Sequence, residues 1–71
     1  MKEAMNEIYT DPFMTAKEVA KVLGVGISKS YQTIRLLNQE LESKGFLIIP
    51  GKIQREYFYE RYGIGGKRAK K

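Results

Sequence analysis

The chain has 71 residues, with 13 Lys/Arg, 8 Asp/Glu, no Cys and no His; that is one small domain without disulfides, an ordinary zinc site, a histidine base or a thiol nucleophile. A domain of this size buries only about 60% of the surface its unfolded chain exposes, so its apolar packing must be compact. The net charge of +5 is lopsided: residues 1–43 hold five basic and six acidic side chains, and residues 44–71 hold eight basic and two acidic. One basic side suits a polyanion such as nucleic acid, the plain alternative being a tail kept for solubility.

Residues 1–12 read as a loose lead-in, in which Met5, Ile8 and Tyr9 have the spacing of a short helix. Asp11-Pro12 breaks it, because the residue before proline disfavours helical backbone. The mixed charge of this stretch is not that of a signal peptide, and no apolar run nears the roughly 20 residues of a membrane span. Phe13 and Met14 are expected to pack onto the domain. Thr15 is a natural N-cap, and Glu18 three residues on completes a capping box. The helix should run to Leu23 with Val19, Val22 and Leu23 inward, Ala20 allowing close approach, Lys17 and Lys21 wet, and Gly24 as its stop.

Val25-Gly26 forms a turn, and a second helix is predicted over Ile27 to Lys44. Ser30, Ile34, Leu37 and Leu41 recur at four, three and four, which makes one core stripe. Ser28, Gln32, Arg35 and Gln39 fall on the opposite face, Lys29 and Leu36 flank it, and Tyr31 and Asn38 border the core. Gly45 ends the helix. Phe46 to Ile49 reads as a short strand, Pro50-Gly51 as a turn, and Ile53 as the start of the return strand, with Lys52 near the hairpin tip. Arg55 to Tyr62 reads as a third helix anchored by Tyr57, Phe58 and Tyr62. Residues 63–71 form a basic tail that is expected to be mobile. The predicted fold is mainly α with a small β-hairpin, a winged helix-turn-helix over residues 13–62.

A helix-turn-helix sets its second helix in the major groove of DNA. That requires short polar side chains near the helix start to reach base edges, with Lys and Arg for phosphate or guanine. Ile27, Ser28, Lys29, Gln32, Thr33 and Arg35 are the candidates there. Gln32 could read adenine through two hydrogen bonds, and Arg35 could read guanine or hold phosphate. In the wing, Lys52, Gln54 and Arg55 are the candidate contacts. Lys67, Arg68, Lys70 and Lys71 in the tail add weaker, non-specific attraction. The bland counterparts are a helical hairpin with a solvated polar face, and a β-hairpin that only caps the core. Leu36 and part of the cluster Tyr57, Phe58, Tyr59 and Tyr62 are core or edge residues, or else a protein contact surface.

Gly24-Val25-Gly26-Ile27-Ser28-Lys29 looks superficially like a phosphate-cradling loop, but it lacks the glycine fingerprint and the Gly-Lys-Ser/Thr ending and follows a helix rather than a strand. Catalysis has no footing: Glu40 and Glu42 diverge on a helix, and a strand-cutting tyrosine would need a basic cluster and a larger frame. No catalytic residue, metal, cofactor or small-molecule ligand is expected.

Thr15-x-x-Glu18-Val19-Ala20-x-x-Leu23-Gly24-Val25 resembles the opening of the helix-turn-helix in small excisionases and the related MerR-type regulators. Gly24 to Tyr31 continues along their usual line without a gap. Leu37-Asn38-Gln39-Glu40-Leu41-Glu42-Ser43-Lys44-Gly45-Phe46-Leu47, followed by Pro50-Gly51-Lys52-Ile53, is similar to excisionase-like proteins of Gram-positive phages and integrative elements. The resemblance covers residues 13–62. It implies a winged helix-turn-helix that binds double-stranded DNA near the end of a mobile element and bends it for a tyrosine integrase, in a bacterial cytoplasm. Ser28, Lys29 and Gln32 would lie in the recognition helix and Lys52 at the wing, with self-association on DNA a further expectation. Two positions depart from the family. Its capping Ser is Gly26 here, which weakens the cap by a few tenths of a kcal/mol or so, and a frequent basic residue is Ile27, which could instead meet a thymine methyl. A small transcriptional regulator on the same fold is the alternative, and a protein-interaction module using the aromatic surface is a third reading.

Overall fold

The computed structural model describes residues 11–64. In chain order its elements are β1 (Phe13–Thr15), α1 (Ala16–Leu23), α2 (Ile27–Ser43), β2 (Lys52–Gln54) and α3 (Arg55–Tyr62). Three helices and one two-stranded antiparallel sheet make a mainly helical, small winged-helix-like fold, the class read from the sequence. The predicted lead-in helix around Met5 to Tyr9 and the tail from residue 65 lie outside the described residues.

The capping box forms as expected. Thr15 Oγ1 accepts from the Glu18 N–H at 3.3 Å, and Glu18 Oε1 accepts from the Thr15 N–H at 3.2 Å. At the other end of α1, Gly24 takes the left-handed conformation (φ 69°) and its N–H donates to Ala20 O at 2.8 Å, a geometry that costs glycine least. The inward line of α1 differs by one residue from the prediction. Ala16 and Val19 are buried and Leu23 packs against the core, whereas Val22 is 43% exposed. Ala16, Val19 and Leu23 recur at three and four, so Val22 lies beside that line rather than on it.

The α2 stripe is as read: Ser30, Ile34, Leu37 and Leu41 are all buried. Ser30 is satisfied there, its hydroxyl donating to Gly26 O at 2.9 Å. Gly26 is the N-cap of α2 and supplies no side-chain hydrogen bond.

The sheet is where sequence and structure part. Phe46 to Ile49 is not a strand. The partner of β2 is β1, in the register Phe13 to Gln54, Met14 to Ile53 and Thr15 to Lys52. Met14 and Ile53 face each other as the central pair, and both are fully buried. The Pro50-Gly51 turn does form, closed by the Lys52 N–H donating to Ile49 O at 3.0 Å, with Gly51 at φ 82°; this is the type II arrangement that proline followed by glycine favours. The buried amide of Asn38 then explains why the ladder stops at that one bond. Its Nδ2 donates to Ile49 O at 3.3 Å and to Lys52 O at 2.9 Å, so the helix claims the carbonyls at the root of the turn. Meanwhile β2 finds a better partner in β1, because that pairing takes Met14 and Ile53 into the core together.

The core is one cluster of Met14, Ala16, Val19, Ile34, Leu37, Leu41, Ile53 and Phe58. Phe58 carries α3 into it, with the Tyr59 ring edge-on at 5.5 Å and the Tyr62 ring tilted at 5.0 Å. Tyr62 itself remains 44% exposed, so of the three predicted anchors Phe58 is the deep one and the two tyrosines are edge residues.

Candidate nucleic-acid interface

Of the residues expected to face DNA from the second helix, Ser28, Lys29, Gln32 and Arg35 are exposed on α2, Ile27 is 46% exposed in its first turn, and Thr33 is half-buried at the flank. From Ile27 to Gln39 the helix carries Lys29 and Arg35 and no acid. Its acids, Glu40 and Glu42, come only in the last turn and a half. Leu36 stands out from the core at 57% exposure, as its place off the stripe predicted.

Residues 46–51 form the wing of this fold, an irregular loop folded back against α2. Gly51 approaches Tyr31, whose Cε1 lies 3.9 Å from where a Cβ on residue 51 would stand. Lys52, next in the chain, is exposed. The whole run from Ser43 to Arg55 includes Lys44, Lys52 and Arg55 and no acidic side chain. The polar face of α2 and an acid-free wing that leads into Lys52 thus meet along one groove.

Gln54 and Arg55 are placed differently from Lys52. Gln54 is half-buried as the N-cap of α3. The Arg55 guanidinium turns inward, donating to Asp11 O at 2.7 Å and Phe13 O at 3.3 Å and pairing with Glu18 at 3.1 Å. With the Arg55 N–H donating to Pro12 O at 2.8 Å, this one residue ties the start of α3 to the chain entering β1 and to the first turn of α1. The predicted tail contacts Lys67, Arg68, Lys70 and Lys71 lie outside the described residues.

A second polar cluster braces the back of α2. Glu40 accepts from Arg61 through both carboxylate oxygens, at 2.7 and 2.8 Å, and from the Tyr57 hydroxyl at 2.6 Å. Those hydrogen bonds, first from Arg61 and then from Tyr57, hold the Glu40 carboxyl down at about 2 and raise the Arg61 guanidinium above its ordinary value. Lys44 sits 5.0 Å above the Tyr57 ring. One of the two late acids of α2 is therefore spent on fastening α3.

No protein-family profile matches the chain, and no solved structure matches it. One relative decides its family. The ICEBs1 excisionase of Bacillus subtilis (strain 168) is 40% identical over 57 residues, which cover 80% of this chain and 89% of the relative. The chain belongs to the excisionase family. The aligned stretch of 57 residues is longer than α1 and α2 together, so the likeness extends beyond those two helices.

Two features of the site escaped the sequence reading. Asn38 had only a place on the edge of the core, although a lone amide one turn after Ile34 and beside Leu37 is a signal of a buried polar tie. Tyr31 was assigned to the same border, yet it is 54% exposed beside the wing.

Proposed function

We propose that this excisionase-family chain is a non-catalytic DNA-binding accessory factor in recombination: it binds duplex DNA at the ends of an integrated element and bends it, so that a tyrosine integrase can carry out excision. The observation that carries this reading is the meeting, along one groove, of the exposed polar face of α2 with an acid-free wing that leads into the exposed Lys52, in a chain of this family. Gln32 approaches base edges, Ser28, Lys29 and Arg35 approach phosphates, Ile27 meets a thymine methyl, and Thr33 lies at the margin. Lys52 neutralises backbone beside the wing. Gln54 and Arg55 hold the root of the wing in place and do not touch DNA. The basic residues of the tail add attraction independent of sequence.

Gel-shift titration against DNA from the element's ends tests binding. If about five phosphates are neutralised, a fourfold rise in salt lowers affinity by roughly 10²–10³-fold. Salt-insensitive binding, or none, rejects the reading. An integrase assay on attached element ends, with and without the protein, tests the role: excision should depend on it.

A further inference from the structure

The groove between α2 and the wing is lined by Tyr31, Arg35 and Gln39 on one side and by Ile48, Pro50 and Gly51 on the other. Tyr31 stands at its rim, half-exposed, with its Cε1 3.9 Å from where a Cβ on residue 51 would stand. The Tyr57 hydroxyl, by contrast, is committed to Glu40. Among the described residues the Tyr31 hydroxyl meets no hydrogen-bonding partner.

The charge around the groove says what could sit there. Arg35, one turn along from Tyr31, supplies a cation, and Lys52 directly follows Gly51. Glu42 lines the far end and would repel an anion there. An anion in the groove is thus confined to the Tyr31–Arg35 end. A DNA strand crossing from the face of α2 to the wing would bring a phosphate to this mouth.

We infer that the Tyr31 hydroxyl is a phosphate contact, which with Arg35 clamps one DNA strand between α2 and the wing. This rests on the DNA-binding reading above. The hydroxyl donates one hydrogen bond to a phosphate oxygen and Arg35 supplies the charge, so the two residues leave different marks. A phosphate contact fixes the register of protein on duplex and carries no sequence information. Tyr31 therefore positions the wing on any DNA, while selectivity stays with the start of the helix.

The test is Tyr31→Phe, which keeps the ring beside the wing and removes only the donor. Hydrogen bonds to charged groups are among the stronger ones, but this one is exposed to water, so the expected loss of affinity is about three- to tenfold. The loss should be equal on element-end and scrambled duplexes, and the salt slope should not change, because no charge is removed. Arg35→Ala should instead lower the salt slope by about one. Methylphosphonate replacement of single phosphates then locates the contact: at one position the wild type should weaken more than Tyr31→Phe does, so that the difference between the two proteins shrinks there and nowhere else. Unchanged affinity of Tyr31→Phe overturns the inference, as does a loss confined to the element-end sequence, or one that persists undiminished at every substituted phosphate. Failure of the wild type to bind either duplex would instead reject the DNA-binding reading itself.

Discussion

Asn38 is the residue on which the placement of the wing turns, and replacing it gives the sharpest prediction. It is 5% exposed, and its single amide nitrogen serves Ile49 O and Lys52 O, the two carbonyls that bracket the Pro50-Gly51 turn. A neutral hydrogen bond contributes about 1 kcal/mol net, and stranding a buried acceptor costs about 1–3 kcal/mol. Ile49 O keeps the Lys52 N–H as a partner, so Asn38→Ala should cost about 2–3 kcal/mol rather than the sum of both penalties. In a domain of this size each kcal/mol moves Tm by about 4–8 °C, so the melt should drop by about 10–20 °C. Asn38→Asp should be worse at neutral pH, since a carboxylate faces two carbonyl oxygens and has nothing to donate. Burial and those oxygens raise its pKa above the unfolded value. The uncharged form is then the one the fold favours, so the deficit should be largest above the raised pKa and should shrink as pH falls and the group regains a proton to donate. Urea denaturation followed by circular dichroism at several pH values measures this. If Asn38→Ala costs less than about 0.5 kcal/mol, or if Asn38→Asp behaves like Asn38→Ala at every pH, the amide is not the tie described here.

Three further predictions follow from the same geometry. Gln32→Ala should cost about 1–3 kcal/mol on the element-end sequence and little on scrambled DNA, as read by competition gel shifts. Arg55→Ala should destabilise the fold, since it cuts the ties to Asp11, Phe13 and Glu18, yet leave the salt slope of DNA binding unchanged; a slope reduced by about one would return Arg55 to the interface. Because the carboxyl of Glu40 is held at about 2 in the fold, its contribution is complete above the ordinary carboxylate range near pH 4.3 and is lost as pH falls toward 2. Glu40→Gln should lose stability at neutral pH and show a flatter acid limb than the wild type in pH-dependent melts.

The helices were legible because their signals are local. Thr15 with Glu18, Gly24, and the four-three-four stripe from Ser30 to Leu41 are each decided within a few residues. The sheet was not, because pairing is decided by distant competition. Phe46 to Ile49 has strand composition and a good turn after it, and nothing nearby reveals that Phe13 to Thr15, some forty residues earlier, will take the partner strand. The inward ties of Arg55 were not legible for the same reason. Its positive charge is visible in sequence, whereas the Asp11 and Phe13 carbonyls and the Glu18 carboxylate that absorb it gather only in the fold. Ser28, Lys29, Gln32 and Arg35 were legible because exposure on a long helix follows from the stripe opposite them.

These two kinds of outcome bear on how such a protein could bend DNA. An ordinary wing is a hairpin whose own ladder fixes its shape. Here that ladder is one bond long, and the wing is instead fastened to α2 through Asn38 and to β1 through the pairing of β2. The wing's position is therefore set from α2 itself, not from an independent hairpin that could flex alone. Helix and wing would then meet the duplex as one rigid face. A rigid two-point face transfers its own angle to a deformable partner, whereas a hinged wing would yield first. Sequence steps that kink easily would then be preferred between the two contacts even where no side chain touches a base. On this argument, loosening the wing at Asn38 should reduce bending more than it reduces binding. Comparing the mobility of complexes on circularly permuted DNA fragments between wild type and Asn38→Ala, at a temperature where both are folded, measures that difference; equal bends would mean that the wing tie has no part in shaping the DNA.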